Sequence, residues 1–117
     1  MVQIVGDGGF YFCNPSSVFA VSRQYRLPIL SIVLDNAGWS AVKQSTLRVY
    51  PEGEAKQGNE FESNLAPKVA FTKVGEAFGA YGEEVSDPAD VPAAIARCLK
   101  EVRAGRAALL HARVTKL

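Results

Sequence analysis

The sequence predicts an α/β fold: a parallel β-sheet with helices on both faces. Two observations predict it. Apolar strand-like runs alternate with helical stretches across mostly short connections, the pattern of a buried parallel sheet. The first two such runs, Val2-Gln3-Ile4-Val5 and Ile29-Leu30-Ser31-Ile32-Val33-Leu34, each lead into a polar cluster that contains glycine, Gly6-Asp7-Gly8-Gly9 and Asp35-Asn36-Ala37-Gly38. Open α/β sheets bind ligands at the carboxyl ends of their strands. Two strand ends that both carry carboxylate or amide oxygens therefore point to a hard-cation site at that edge. Oxygen-only donors favour Mg²⁺ or Ca²⁺ over zinc, and Mg²⁺ usually keeps phosphate oxygens and water in its shell. Metal plus phosphate is the first inference.

The remaining elements follow in order. After the first strand and its loop, Asn14-Pro15-Ser16-Ser17 signals a helix start, with Asn or Ser to cap it and Pro in the first turn. Val18, Phe19, Val21, Ser22 and Tyr25 then give a mostly apolar helical face that ends before Pro28. Another helix is expected near Trp39. Between residues 47 and 67 the periodicity is lost in polar, breaker-rich sequence, including Tyr50-Pro51-Glu52-Gly53-Glu54 and Gln57-Gly58-Asn59-Glu60. A connection of that length inside a domain is usually functional or disordered, and a mobile loop is expected here. Pro67 to Ala80 reads as a helix and Gly82 to Val85 as a short strand. Asp87-Pro88 opens a long amphipathic helix whose Val91, Ala94, Ile95, Cys98, Leu99 and Val102 share one face, and Gly105 ends it. Ala108 to Val114 is the last strand. There are no internal repeats.

At 117 residues the chain forms one domain, with a real core but little to spare. A net charge of +1 offers no electrostatic case for nucleic acid, and no basic stripe is interleaved with aromatics. No apolar run approaches the length of a membrane span, and Met1 is followed by a strand rather than a charged leader, so no membrane partner is expected. Cys13 and Cys98 lack CxxC spacing and read as reduced thiols of a cytoplasmic protein. Cys13 is expected to be a small buried hydrophobe.

Gly6-Asp7-Gly8, 27 intervening residues from Gly9 to Asp35, and then Asn36 resemble a known motif. It is the thiamine-diphosphate motif of the acetolactate synthase, pyruvate decarboxylase and benzoylformate decarboxylase superfamily. The similarity extends along nearly the whole chain. Tyr25-Arg26-Leu27-Pro28, Val42-Lys43-Gln44, the Phe71-x-x-Val74-x-Glu76-Ala77-Phe78-Gly79 stretch and Ala104-Gly105-Arg106 before Ala107-Ala108-Leu109-Leu110 all resemble that family's cofactor domain. Three positions depart from its pattern. The interval between Asp7 and Asn36 is slightly longer, with the excess placed around Tyr11 to Pro15. Asp35 stands where the first Asn of a pair is usual, a change expected to matter little if Asn36 is the ligand. Gly9 stands where Ser is frequent.

The resemblance implies a thiamine-diphosphate-binding fold over residues 1–117, as the C-terminal cofactor domain of a longer chain. On that reading the helix and strand preceding Val2 would be missing. It further implies that the Asp7 carboxylate, the Asn36 side-chain amide and the Gly38 carbonyl hold Mg²⁺. The metal would in turn grip the diphosphate of thiamine diphosphate, with Gly6, Gly8, Gly9 and Trp39 also at the cofactor. Gly8 and Gly9 would bring main-chain N–H groups close to phosphate oxygens, where a Cβ would obstruct. The implied reaction is decarboxylation or carboligation of a 2-oxo acid. The activating glutamate would come from the pyrimidine-binding domain of a neighbouring subunit, so a homodimer or homotetramer is expected. In such enzymes the region matching the 47–67 loop tends to close over the site.

Other readings stand beside these. A Rossmann dinucleotide site is disfavoured because Gly6-x-Gly8-Gly9-Phe10 lacks the third glycine and no helix is expected to begin there. A non-catalytic binding module of the same fold and a Mg²⁺-dependent nucleotide-binding domain remain as alternatives. Trp39 is either a core aromatic or a border of the cofactor pocket. Lys43 reads as a solvated helix residue, with contact to a substrate carboxylate as the competing role. His111, the chain's single histidine, reads as a satisfied structural residue on the last strand rather than as a general base.

Overall fold

The computed structural model describes residues 1–65 and 69–115. Four strands, β1 (Val2–Gly6), β2 (Leu30–Asp35), β3 (Tyr81–Val85) and β4 (Ala108–Arg113), form one sheet in the order β1-β2-β4-β3. Every adjacent pair is parallel. The register aligns Gly6 with Leu34 and Val33 with His111. The residues that follow, Asp7 and Asp35, thus leave the sheet side by side.

Helices pack against both faces. On one side α6 (Val91–Arg103) buries Ala94 and Cys98 against Leu30, Ala108, Leu110 and Val85. Asp87 accepts a hydrogen bond from the Ala89 N–H at 2.8 Å and caps a short 3₁₀ turn, Pro88–Asp90, that leads into α6. Gly105 closes α6 at φ 89°, a backbone region that strongly favours glycine. The sheet face beside β1 is not covered as the pattern predicts, because Val2, Ile4 and Leu34 remain exposed there.

The opposite face is packed by α1 (Asp7–Phe12), α2 (Pro15–Tyr25) and α5 (Thr72–Glu76). Phe10, Phe19, Phe71, Val33, Ala80 and Leu109 form its core. Of the predicted α2 face only Phe19 and Ser22 are buried, while Val21 and Tyr25 are exposed. Asn14 precedes α2 in a left-handed conformation, and its side-chain oxygen accepts from the Ser16 hydroxyl rather than capping a main-chain N–H.

Several boundaries differ from expectation. A helix does begin at the glycine cluster: α1 starts at Asp7, directly after β1. Two glycines in six residues disfavour a helix locally, and burial of Phe10 against the sheet overrides that preference. In the region expected to be loop, α3 (Ser40–Val49) runs past residue 47, and a short α4 (Glu54–Gln57) follows. The helix expected from Pro67 to Ala80 is only Thr72–Glu76; residues 67–68 of that stretch, and 66–67 of the expected loop, lie outside the described residues. No helix among the described residues is long and apolar enough to cross a membrane.

The two cysteines lie in opposite environments. Cys13 is exposed just past the end of α1, contrary to its expected burial, because α1 turns only Phe10 of its large side chains into the core. Cys98 is fully buried, and burial pushes its thiol pKa up to about 11. A thiol-reactive disulfide reagent should therefore label Cys13 rapidly in the native protein and Cys98 only on unfolding. Equal labelling rates would contradict this packing.

Candidate cofactor site at the carboxyl edge of the sheet

The site begins with the register of β1 and β2. Asp7 opens α1 and is 3% exposed, and Asp35 closes β2 and is 8% exposed. Asp7 Oδ1 accepts from the Gly8 N–H at 2.8 Å, and Oδ2 accepts from the Gly38 N–H at 3.1 Å across the two loops. The same Gly38 N–H also faces Asn36 Oδ1 at 3.1 Å. The Asp7 carboxylate and the Asn36 amide oxygen therefore converge on one point. Asn36 is oriented from its other end, where Nδ2 donates to the Ser40 hydroxyl at 2.7 Å.

The loop carrying Asn36 and Gly38 is held by its surroundings. Ala37 takes φ 56°, a strained value for a residue with a Cβ, and its N–H donates to Asp35 Oδ1 at 2.9 Å. Gly38 forms an antiparallel bridge with Asn64, through Trp39 N–H to Ser63 O at 2.7 Å and Leu65 N–H to Ala37 O at 3.0 Å. The chain after α4 thus returns to brace the turn. A pocket of ≈ 110 Å³ opens beside it, lined by Asn36, Trp39, Lys43, Asn59 and Phe61 among others. Lys43 is half-buried there, its Nζ 5.1 Å from the centre of the Phe61 ring. It is a pocket residue rather than a fully solvated one.

Electrostatics at the two aspartates are opposed. Burial raises the pKa of Asp7, and the neighbouring Asp35 carboxylate pushes the same way, against the two N–H donors. Burial also acts to raise Asp35, but hydrogen bonds from His111 and Ala37 outweigh it, so its carboxyl is held below the usual range. Asp7 is thus the carboxylate whose charge the protein alone does not fully compensate. A cation would supply what is missing. The available donors (a carboxylate, an amide oxygen and main-chain carbonyls) are hard and suit Mg²⁺. Among the described residues no group of three or more His, Cys, Asp or Glu side chains forms a metal site, so a cation here would draw on the amide and main-chain oxygens.

The glycines have reasons of their own. A Cβ on Gly8 would sit 2.0 Å from Trp39 Cδ1, and one on Gly9 would sit 2.9 Å from a Val5 methyl. Gly8 therefore lets the Trp39 indole close over the first loop, and Gly9 lets α1 approach β1. Gly6 has open space around it. Trp39 Nε1 is buried, lies beside Gly8 and has no hydrogen-bond partner. An unsatisfied buried donor costs about 1–3 kcal/mol, which an acceptor on a bound ligand would recover. The structure thus gathers Asp7, Gly8, Asn36, Gly38 and Trp39 at one place and leaves Gly6 and Gly9 at its margin.

Asp35, expected to matter little, and His111, expected to be a structural residue, join this site. Asp35 Oδ2 lies 2.7 Å from Nε2 of His111, which is fully buried on β4. His111 Nδ1 is 3.5 Å from Glu84 on β3, and Glu84 pairs with Arg113 at 2.5 Å. Arg113 also lies 3.6 Å from Asp35. A polar row thus crosses β2, β4 and β3 at the carboxyl end of the sheet. The one available signal was a histidine in an otherwise apolar last strand. Its partner is 76 residues away, which a single sequence does not reveal.

Comparison with known proteins agrees with this architecture. Residues 1–112 match the family described as thiamine pyrophosphate enzyme, C-terminal TPP binding domain, and the chain belongs to that family. It is 27% identical over 106 residues to the acetolactate synthase isozyme 3 large subunit of Escherichia coli, covering 91% of this chain and 17% of that protein. A thiamine diphosphate-dependent 4-hydroxybenzoylformate decarboxylase of Rhodococcus jostii superposes with TM-score 0.75 at 18% identity, over 99% of this chain and 20% of that one. Benzoylformate decarboxylase from Polynucleobacter necessarius gives TM-score 0.74 at 20% identity, with the same coverage of each chain. The chain thus has the fold of these enzymes' cofactor domain and spans about a fifth of their length.

Filling the space under Trp39 should disturb the site first. Gly8→Ala is expected to displace the indole and to lower stability by about 1–3 kcal/mol through overpacking. Trp39 is the only tryptophan, so a shift in its emission together with a lower denaturation midpoint would report both effects. Unchanged emission would place the indole elsewhere.

Proposed function

We propose that this TPP-binding domain holds Mg²⁺ and the cofactor diphosphate as part of an acetolactate synthase-like 2-oxo acid decarboxylase or carboligase. The observation that carries the proposal is the buried, under-compensated Asp7 carboxylate, set beside the Asn36 amide oxygen at the ends of adjacent strands. Asp7, Asn36 and the Gly38 carbonyl would hold the metal. Gly8 leaves room for Trp39, whose unpartnered indole N–H offers a donor to a ligand oxygen. When bound, the cofactor supplies a carbon nucleophile and an electron sink for the 2-oxo acid.

The chain's own part is binding and orientation. Fixing Asp7 and Asn36 on a rigid sheet edge sets where the diphosphate can sit, and so where the reactive end of the cofactor projects. The activating glutamate is expected outside this chain. That role is assigned to a pyrimidine-binding domain of a neighbouring subunit in a cytoplasmic homodimer or homotetramer. The described part of the expected loop, residues 47–65, contributes Asn59 and Phe61 to the pocket wall and would serve as the cover of the site. α1 begins at the glycine cluster as a dinucleotide-binding helix would, but the family match favours thiamine diphosphate over a nucleotide.

Calorimetric titration of the assembled protein with thiamine diphosphate, with and without Mg²⁺, tests this reading. Tight binding that requires the metal is expected, and Asp7→Asn should weaken it by more than about 100-fold while leaving the far-UV spectrum intact. This exceeds the loss of about 10- to 100-fold typical for groups that only support a metal ligand. Metal-independent binding, or wild-type affinity in the variant, would overturn the ligand assignment.

A further inference from the structure

His111 has a role that the cofactor motif does not contain. It is fully buried in the centre of β4, one strand away from the nearer of the two cofactor loops. Its Cα partner on β2 is Val33, and the ring reaches diagonally, two residues toward the carboxyl end, to meet Asp35. Asp35 then uses its two oxygens differently. Oδ2 faces His111 Nε2 at 2.7 Å, and Oδ1 accepts from the Ala37 N–H at 2.9 Å. That second bond holds Ala37 at φ 56°, and this conformation turns Asn36 and Gly38 back toward Asp7.

On another side Phe71 meets the ring edge-on at 5.0 Å between centroids, while the buried Nδ1 has no hydrogen-bond partner, Glu84 standing 3.5 Å away. A buried aspartate can swing about its χ angles unless both oxygens are committed. Here Asp35 has one oxygen committed to the turn and one to the buried His111 ring, with the Arg113 guanidinium 3.6 Å from that same oxygen.

We propose that His111 is a positioning residue for the cofactor site: by fixing the Asp35 carboxylate it sets the turn of residues 35–38 that presents Asn36 and Gly38 to the metal. The role resembles that of the outer hydrogen-bond partners of metal ligands, which orient a ligand without touching the ion. It rests on the reading of this edge as the Mg²⁺ and thiamine diphosphate site. It adds that the geometry of the site is set from β4, a strand that contributes no ligand.

Two variants separate positioning from packing. His111→Phe keeps an aromatic ring against Phe71 and removes the donor. His111→Gln removes the ring and its edge contact but keeps an N–H able to reach Asp35. Mg²⁺-dependent thiamine diphosphate affinity of the assembled protein is measured by calorimetry, alongside the denaturation midpoint without cofactor. The Phe variant should bind about 10- to 100-fold more weakly than wild type, and the Gln variant within about threefold, whichever of the two is the more stable. Wild-type affinity in the Phe variant, or an equal loss in both, would overturn the proposal. If His111→Phe does not fold, Asp35→Ser takes its place, since a serine can still accept from Ala37 but cannot reach the imidazole, and the same threshold applies. Metal-independent binding by the wild type would instead overturn the cofactor-site reading and this role with it.

Discussion

The parallel register between β1 and β2 is the constraint on which the site depends. It aligns Gly6 with Leu34, so the next residue on each strand is an aspartate, and both aspartates are buried. Leaving a carboxylate unpaired in a protein interior costs several kcal/mol, whereas a hydrogen bond to a charged group returns about 1.5–3 kcal/mol. Hydrogen bonds from His111 and Ala37 hold the Asp35 carboxyl below its usual range. Asp7 has the N–H groups of Gly8 and Gly38 and a carboxylate neighbour that works against it. The imbalance is local and specific. The fold carries it at the one edge where parallel sheets open to ligands.

The rest of the local structure can be read as what keeps these two groups in place. Gly8 and Trp39 form a lock between the first and second loops, since the indole occupies space that any side chain at position 8 would fill. The chain after α4 adds a main-chain bridge at Gly38 and Asn64, which stiffens the second loop from outside the sheet. Phe71 links the two halves. Its ring meets Phe10 and Tyr11 of α1 on one side and His111 of β4 on another. One aromatic side chain thus couples the helix that starts at Asp7 to the strand that steadies Asp35.

Much of this was legible in the sequence, and what was missed has physical causes. β1 and β2 announce themselves by apolar runs ending in glycine and Asx clusters, because strand-to-loop transitions at a ligand edge need those residue types. α6 is legible because its periodicity is unbroken. α1 is not, since Asp-Gly-Gly carries little helical preference and the helix exists through the burial of Phe10. Cys13 was misplaced for a related reason: without α1, nothing indicated which side of the chain faced solvent. Asp35 looked like a tolerable replacement beside a more important Asn36. Its weight comes from β2 pairing with β4 rather than with β3, a choice of strand order that local pattern does not encode.

That strand order also explains why the polar row can exist. With β4 inserted between β2 and β3, His111 lies between Asp35 and Glu84, within reach of both, and Arg113 closes the row from the end of its own strand. Had β3 paired with β2, the exposed Glu84 would lie beside Asp35 without His111 between them. The order β1-β2-β4-β3 instead places His111 and Arg113 between Asp35 and Glu84, and the row stops short of Asp7, which directly follows β1. A row of compensated charges that stops short of the buried Asp7 carboxylate is what a cation bound there, as proposed, would complete.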